Sequence, residues 1–256
     1  MDRHSRRGTT KAFLRDGRAP GAQTVVACVG DSITEGVGSA DWVAMLRERV
    51  GAADVQGVNA GVAGDLAWNV LRRLDAVIQC DPDIVTLMVG TNDVALEPKS
   101  SMNRFVLRMK GVRRAPTLEW YVESVSAVLG RLLSETHAKI AVIEIPMLGE
   151  DLGSETNKRV KAYNDALRTV AAEYGVNWLP LHDQLVELLP PDHVPPRYQA
   201  KAGPMMKAQF QHHVRHRSWD AAAASNGLIL LSDHTHLGER AAAVVADLVA
   251  EFVTAS

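Results

Sequence analysis

The chain's 256 residues give room for one decorated α/β domain or at most two small ones. Its 46% hydrophobic residues suffice for a single core, and a net charge of −2 provides no global attraction for nucleic acid. No run of about 18 apolar residues occurs, so no integral membrane association is expected.

Taken in order, the first 22 residues are rich in Arg, Gly and Ser and lack the apolar centre of a secretory signal. They are expected to form a mobile basic arm, 1–22, ahead of a single domain over 23–256. Thr24 to Val29 is a short continuous apolar run, the mark of a strand buried on both faces. It stops at Gly30-Asp31-Ser32, and Asp41 is placed to cap a helix over 41–50. A second strand, 54–58, ends in Asn59-Ala60-Gly61-Val62-Ala63-Gly64. Asp65 is then expected to cap a helix reaching Ile78. A third strand, 83–89, ends in Gly90-Thr91-Asn92-Asp93. A helix over 117–135, a strand over 139–145, a helix over 154–174, a strand over 176–181 and a last helix over 239–254 complete the alternation. Strands separated by amphipathic helices imply right-handed crossovers and a parallel sheet covered on both sides. The expected fold is α/β: a flavodoxin-like three-layer α/β/α sandwich with a five-stranded parallel sheet, by analogy in order 2-1-3-4-5.

Two insertions, at about 97–116 and 190–226, interrupt that rhythm. The first carries Lys99, Arg104, Arg108, Lys110, Arg113 and Arg114 among apolar residues, with no acid after Glu97. It suits either an anionic or amphiphilic ligand, such as a lysophospholipid, or a solvated loop. The second opens with prolines and continues as a helix around 205–224. Segments of this length serve as lids and binding loops, or as mobile decoration. Cys28 and Cys80 have neither metal nor redox spacing; Cys28 reads as a small core residue, which fits a reduced, cytoplasmic setting.

The chemistry concentrates at the strand tips. In a parallel sheet the C-terminal ends of the first three strands share one edge, so Ser32, Asn59 to Gly61 and Asn92 can converge there. Ser32 is a candidate nucleophile, or else a serine that only ties down its turn. An attacking serine needs donors for the oxygen that becomes negative. The N–H of Ser32, the N–H of Gly61 and the amide of Asn92 could supply three. It also needs a base. His236, with Asp233 three residues earlier, has the spacing for a carboxylate to hold an imidazole tautomer. His182 beside Asp183 is the rival. His212, His213 and His216 invite a metal reading, but no carboxylate completes a zinc motif, and a solvated helix face accounts for them. No phosphate or dinucleotide loop is present.

Together, Gly30-Asp31-Ser32-Ile33, Gly61, Gly90-Thr91-Asn92-Asp93 and Asp233-His234-Thr235-His236 resemble the four sequence blocks of the SGNH (GDSL-type) hydrolases. Ile33 stands in place of the usual leucine. The resemblance implies a flavodoxin-like fold, no metal and no cofactor, and hydrolysis of carboxylic esters or thioesters through an acyl-serine. By it, Ser32 would be the nucleophile, Asp233 and His236 its orienter and base, and Ser32, Gly61 and Asn92 the oxyanion hole. The expected substrate is a small-molecule or lipid-like ester. Two alternatives stay open: an acyltransferase using the same acyl-enzyme, and a non-catalytic flavodoxin-like binding module.

Overall fold

The computed structural model describes residues 9–51, 54–96, 100–198 and 202–255. Five strands form one parallel sheet: β1 (Thr24–Gly30), β2 (Val55–Gly61), β3 (Ile84–Met88), β4 (Lys139–Ile143) and β5 (Asn177–Leu179). Their order is β2-β1-β3-β4-β5, the order expected by analogy with the flavodoxin-like fold. The chain reverses direction across the sheet between β1 and β3, and this reversal puts the tip of β1 at the crevice where such sheets hold ligands.

The helices follow in chain order: α1 (Thr10–Asp16), α2 (Ser32–Glu35), α3 (Trp42–Val50), α4 (Ala67–Arg72), α5 (Leu74–Ile78), α6 (Thr91–Ala95) and α7 (Ser101–Met109). Then come α8 (Leu118–Glu135), α9 (Glu155–Tyr174), α10 (Leu181–Glu187), α11 (Ala202–His213), α12 (Trp219–Ser225) and α13 (Glu239–Thr254). Successive residues of β1 point to opposite faces. Val26 and Cys28 enter a core with α3, α12 and α13. Ala27 and Val29 enter the other core with α4, α5, α8 and α9. Three layers result.

Local chemistry sets the helix ends. The Asp41 carboxylate accepts from Ala44 N at 2.9 Å, and the Thr117 and Ser154 hydroxyls accept from Trp120 N and Asn157 N at 3.2 Å each. Asp65 differs from expectation. Its carboxylate is held by Arg73 Nε and Lys110 Nζ, both at 2.7 Å, so it does not cap the next helix. That helix starts at Ala67 and breaks at Arg73 into α4 and α5.

Two further expectations change. Residues 10–16, read as part of a mobile arm, form α1 instead. Phe13 is buried with Val25, Val58 and Cys80, and Thr9 bridges Asn59 at the sheet edge. Residues 1–8 of the arm lie outside the described residues, as do Glu97 and Lys99 of the first insertion. The helix expected over 205–224 is two helices, because Ser218 caps a new start by accepting from Ala221 N at 3.0 Å. The first insertion contains α7, whose N-terminus is capped by Ser100.

Candidate active site

β1 reaches the site through a turn that only glycine fits. A Cβ on Gly30 would lie 2.2 Å from Thr34 Oγ1 and 2.5 Å from Met88 O. The chain turns there. Asp31 then caps α2, accepting from Ile33 N at 3.0 Å, and Ser32 becomes the first residue of that short helix. Its N–H is without a partner among the described residues.

The second half of the site lies on the loop between α12 and α13. This loop is tied to the rest of the fold by buried bonds. Ser232 Oγ donates to Gly38 O at 2.8 Å, Ala40 N donates to Leu237 O at 2.9 Å, and Leu237 N donates to Ser39 Oγ at 3.1 Å. The buried Glu150 carboxylate accepts from Ile229 N, Leu230 N and Leu231 N at 2.7–3.0 Å and pairs with His193 Nε2 at 2.7 Å. Glu150 carries no motif, so sequence reasoning passes over it.

That loop brings Asp233 and His236 to Ser32. His236 Nε2 lies 3.0 Å from Ser32 Oγ, and Nδ1 lies 2.8 Å from Asp233 Oδ2. A carboxylate only accepts, so Nδ1 carries the proton and Nε2 presents its lone pair to the serine hydroxyl. Asp233 Oδ1 also accepts from the N–H groups of Thr235 and His236, at 3.0 and 2.9 Å. Burial disfavours the imidazolium, but the adjacent Asp233 charge and hydrogen bond outweigh it and raise the His236 pKa. Burial likewise acts to raise the Asp233 pKa, and His236 reverses the sign and lowers it.

The other histidines are placed elsewhere. His234 has a left-handed φ of 76°, its ring lies edge-on to Tyr198, and its carbonyl accepts from Gly149 N at 2.7 Å. His182 sits at the start of α10, with Nδ1 3.6 Å from Asp183. His212 stacks on Trp219 at 4.0 Å and His213 meets the same ring edge-on, so two of the three invoked for a metal are occupied in packing.

The three groups expected as donors are engaged differently. Asn92 Nδ2 donates to Asp65 O at 3.0 Å and to Asp31 Oδ2 at 3.2 Å, which fixes the amide beside the Ser32 turn. Gly61, however, spends its N–H on Asn59 Oδ1 at 3.0 Å. A Cβ there would fall 2.2 Å from Glu35 N, so its glycine serves the packing of β2 against α2. Gly64, three residues on, holds a φ of 75° and an N–H without a partner among the described residues. Two glycines share this turn, and the feature that separates them is a backbone conformation the sequence does not spell out.

Two carboxyls beneath the site are strongly perturbed. Burial pushes Asp31 up to about 6 and Asp93 up to about 7, although each accepts a backbone N–H, from Ile33 and Ala67 respectively. A cavity of about 840 Å³ runs beside the triad, past Glu35 to Ser39 and on to Gln209 and Trp219. Neither Ser32 nor His236 lines it; Gly38 stands between, its Cβ position 3.3 Å from the His236 ring.

Solved structures share this architecture. An acetyl xylan esterase, AlAXEase, superposes with a TM-score of 0.62 at 19% identity, covering 90% of this chain and 99% of that one. Axe2, an acetylxylan esterase from Geobacillus stearothermophilus, gives 0.60 at 16%, covering 90% and 94%. LAE5, an α/β hydrolase from the metagenome of Lake Arreo, Spain, gives 0.60 at 19%, covering 89% and 94%. No curated protein matches the chain. The model of the GDSL-like lipase/acylhydrolase family matches residues 28–200, a span that holds the Ser32, Gly64 and Asn92 turns, and the chain belongs to that family.

Proposed function

We propose that this chain hydrolyses carboxylic esters through an acyl-serine at Ser32. One observation carries the reading: a hydrogen-bonded line from Asp233 through His236 to Ser32, with contacts of 2.8 and 3.0 Å. His236 takes the hydroxyl proton as Ser32 Oγ attacks the acyl carbon. It then gives that proton to the leaving alcohol, and activates water to release the acid. The N–H of Ser32, the amide of Asn92 and the N–H of Gly64, in place of Gly61, receive the oxyanion. Asn92 keeps its bond to Asp65 O, and the longer contact to Asp31 is the one the oxyanion takes over.

Structures of Axe2 described as catalytic mutants alter a serine, and an aspartate and a histidine three residues apart. The same three residue types at the same Asp–His spacing support Ser32 as nucleophile, His236 as base and Asp233 as its orienter. Acetyl esters therefore head the panel of small and amphiphilic substrates, with thioesters after them. The free, buried Cys28 and Cys80 fit a cytoplasmic setting.

Turnover of a chromogenic acetyl ester by Ser32→Ala tests the reading. A loss of about a thousandfold or more with an unchanged Tm is expected. Wild-type rates in this variant would refute it.

A further inference from the structure

A second surface, on α7, has a chemistry of its own. This helix buries Leu107 against Leu66, Val112 and Trp120. Its other side is turned to solvent with Met102, Phe105 and Met109 exposed at 63%, 60% and 72%. Their spacing of three and four residues aligns them in one stripe over two turns. Apolar area left in water forgoes about 25 cal/mol for each Å² that burial would remove, so three such side chains on one stripe call for a partner.

Charge narrows the partner's chemistry. From Ser100 to Pro116 the chain has five cations and no acid, against a net charge of −2 for the whole. Lys110 is turned inward to Asp65, and Arg114 pairs with Glu123. Arg108 and Arg113 are exposed and make no ion pair among the described residues. An apolar stripe flanked by arginines matches the boundary of an anionic lipid layer, where acyl chains lie just beneath phosphates. We propose that α7 docks this protein on an anionic lipid surface.

The position of the helix gives the docking a use. Lys110 follows α7 directly, and its Nζ lies 2.7 Å from Asp65 Oδ1. Its Cε lies 2.9 Å from where a Cβ on Gly64 would stand. Asp65 O in turn holds Asn92. The exposed stripe thus adjoins the rim that carries the proposed donors, and a docked molecule would present that rim to amphiphilic esters at the surface. The docking itself does not depend on the hydrolase reading.

Flotation with vesicles separates the two. Wild type and Ser32→Ala are expected to float with phosphatidylglycerol vesicles at low salt and to stay behind with phosphatidylcholine alone. Arg108→Glu and Arg113→Glu should each cut the bound fraction about fivefold or more, consistent with about 1 kcal/mol per arginine near such a surface. Phe105→Ser with Met109→Ser should do the same while leaving Tm and turnover of a soluble ester unchanged. The proposal is overturned if wild type ignores both vesicle types, binds them equally, or binds undiminished in these variants. It is also overturned if sedimentation shows a dimer that Phe105→Ser with Met109→Ser makes monomeric, since a second copy would then be the partner. Loss of Ser32 chemistry with binding intact would touch only the hydrolase reading.

Discussion

The loop that carries His236 and the segment that carries α7 both flank the same strand tips, yet they are built on opposite principles. Between Leu228 and Gly238 nearly every side chain is buried, and Glu150 and the 38–40 segment both hold the loop. Between Ser101 and Arg114 only Leu107 and Val112 are buried, and large apolar groups face water. Catalytic groups must be fixed to within fractions of an ångström, whereas a surface that meets a soft partner needs composition more than exact placement. The two regions should therefore respond to substitution in different ways.

The largest effect should come from breaking the fixed region at its charge. Asp233→Asn leaves the shape but removes the group that sets the imidazole tautomer, and kcat is expected to fall about 10³- to 10⁴-fold. A fall under tenfold would remove Asp233 from the relay. Next, Asn92→Ala should lower kcat about a hundred- to a thousandfold with KM little changed, because it removes a proposed oxyanion donor. Gly61→Ala sharpens the distinction within the turn. Its Cβ would meet Glu35 N and the α2 backbone, so a lower Tm is expected. Were Gly61→Ala to keep its Tm and lose kcat alone, the oxyanion role would return to Gly61.

Glu150→Ala probes the loop without touching the reacting atoms. It leaves three N–H groups, two of them buried, without an acceptor, at about 1–3 kcal/mol for an unsatisfied buried group. Both kcat and Tm should drop, and Glu150→Gln, which keeps an acceptor oxygen, should recover part of each. Equal loss in both variants would show that the charge, not the acceptor, holds the loop.

The pH profile carries the smallest effects. In the proposed mechanism neutral imidazole is the base, and Asp233 raises the His236 pKa. The acid limb of kcat/KM should therefore lie above the ordinary histidine value of about 6.5. Asp93 has a raised folded pKa, so the folded state binds the proton more tightly and its contribution to stability falls as pH rises from about 4 to about 7. Asp93→Asn should keep the bond from Ala67 N and flatten that decline in Tm. An identical decline would mean that another group causes it.

Much of the molecule is legible in its sequence, for identifiable reasons. β1, β3 and β4 are largely apolar runs ended near glycine or proline, and Thr117, Ser154 and Asp41 are cap residues, so these strands and most helices follow from sequence, while the sheet order comes by analogy with flavodoxin-like folds. Ser32, Asn92, Asp233 and His236 stand in short motifs at strand tips or before the last helix. What escapes depends on tertiary partners. Asp65 has the type and position of a cap, but Arg73 and Lys110 claim it first. Phe13 looks like a stray apolar residue in a basic arm until Val25 and Val58 surround it. Gly61 and Gly64 differ in backbone conformation and in whether the N–H is already bonded, and Glu150 is ordinary until three amides converge on it.

The proposed chemistry requires that His236 activate Ser32. Intact mass measured after exposure to a fluorophosphonate tests it most directly. One adduct mapping to Ser32, formed by wild type and lost in both Ser32→Ala and His236→Ala, is the predicted result. An adduct on another residue, or labelling of Ser32 at an undiminished rate in His236→Ala, would contradict the account.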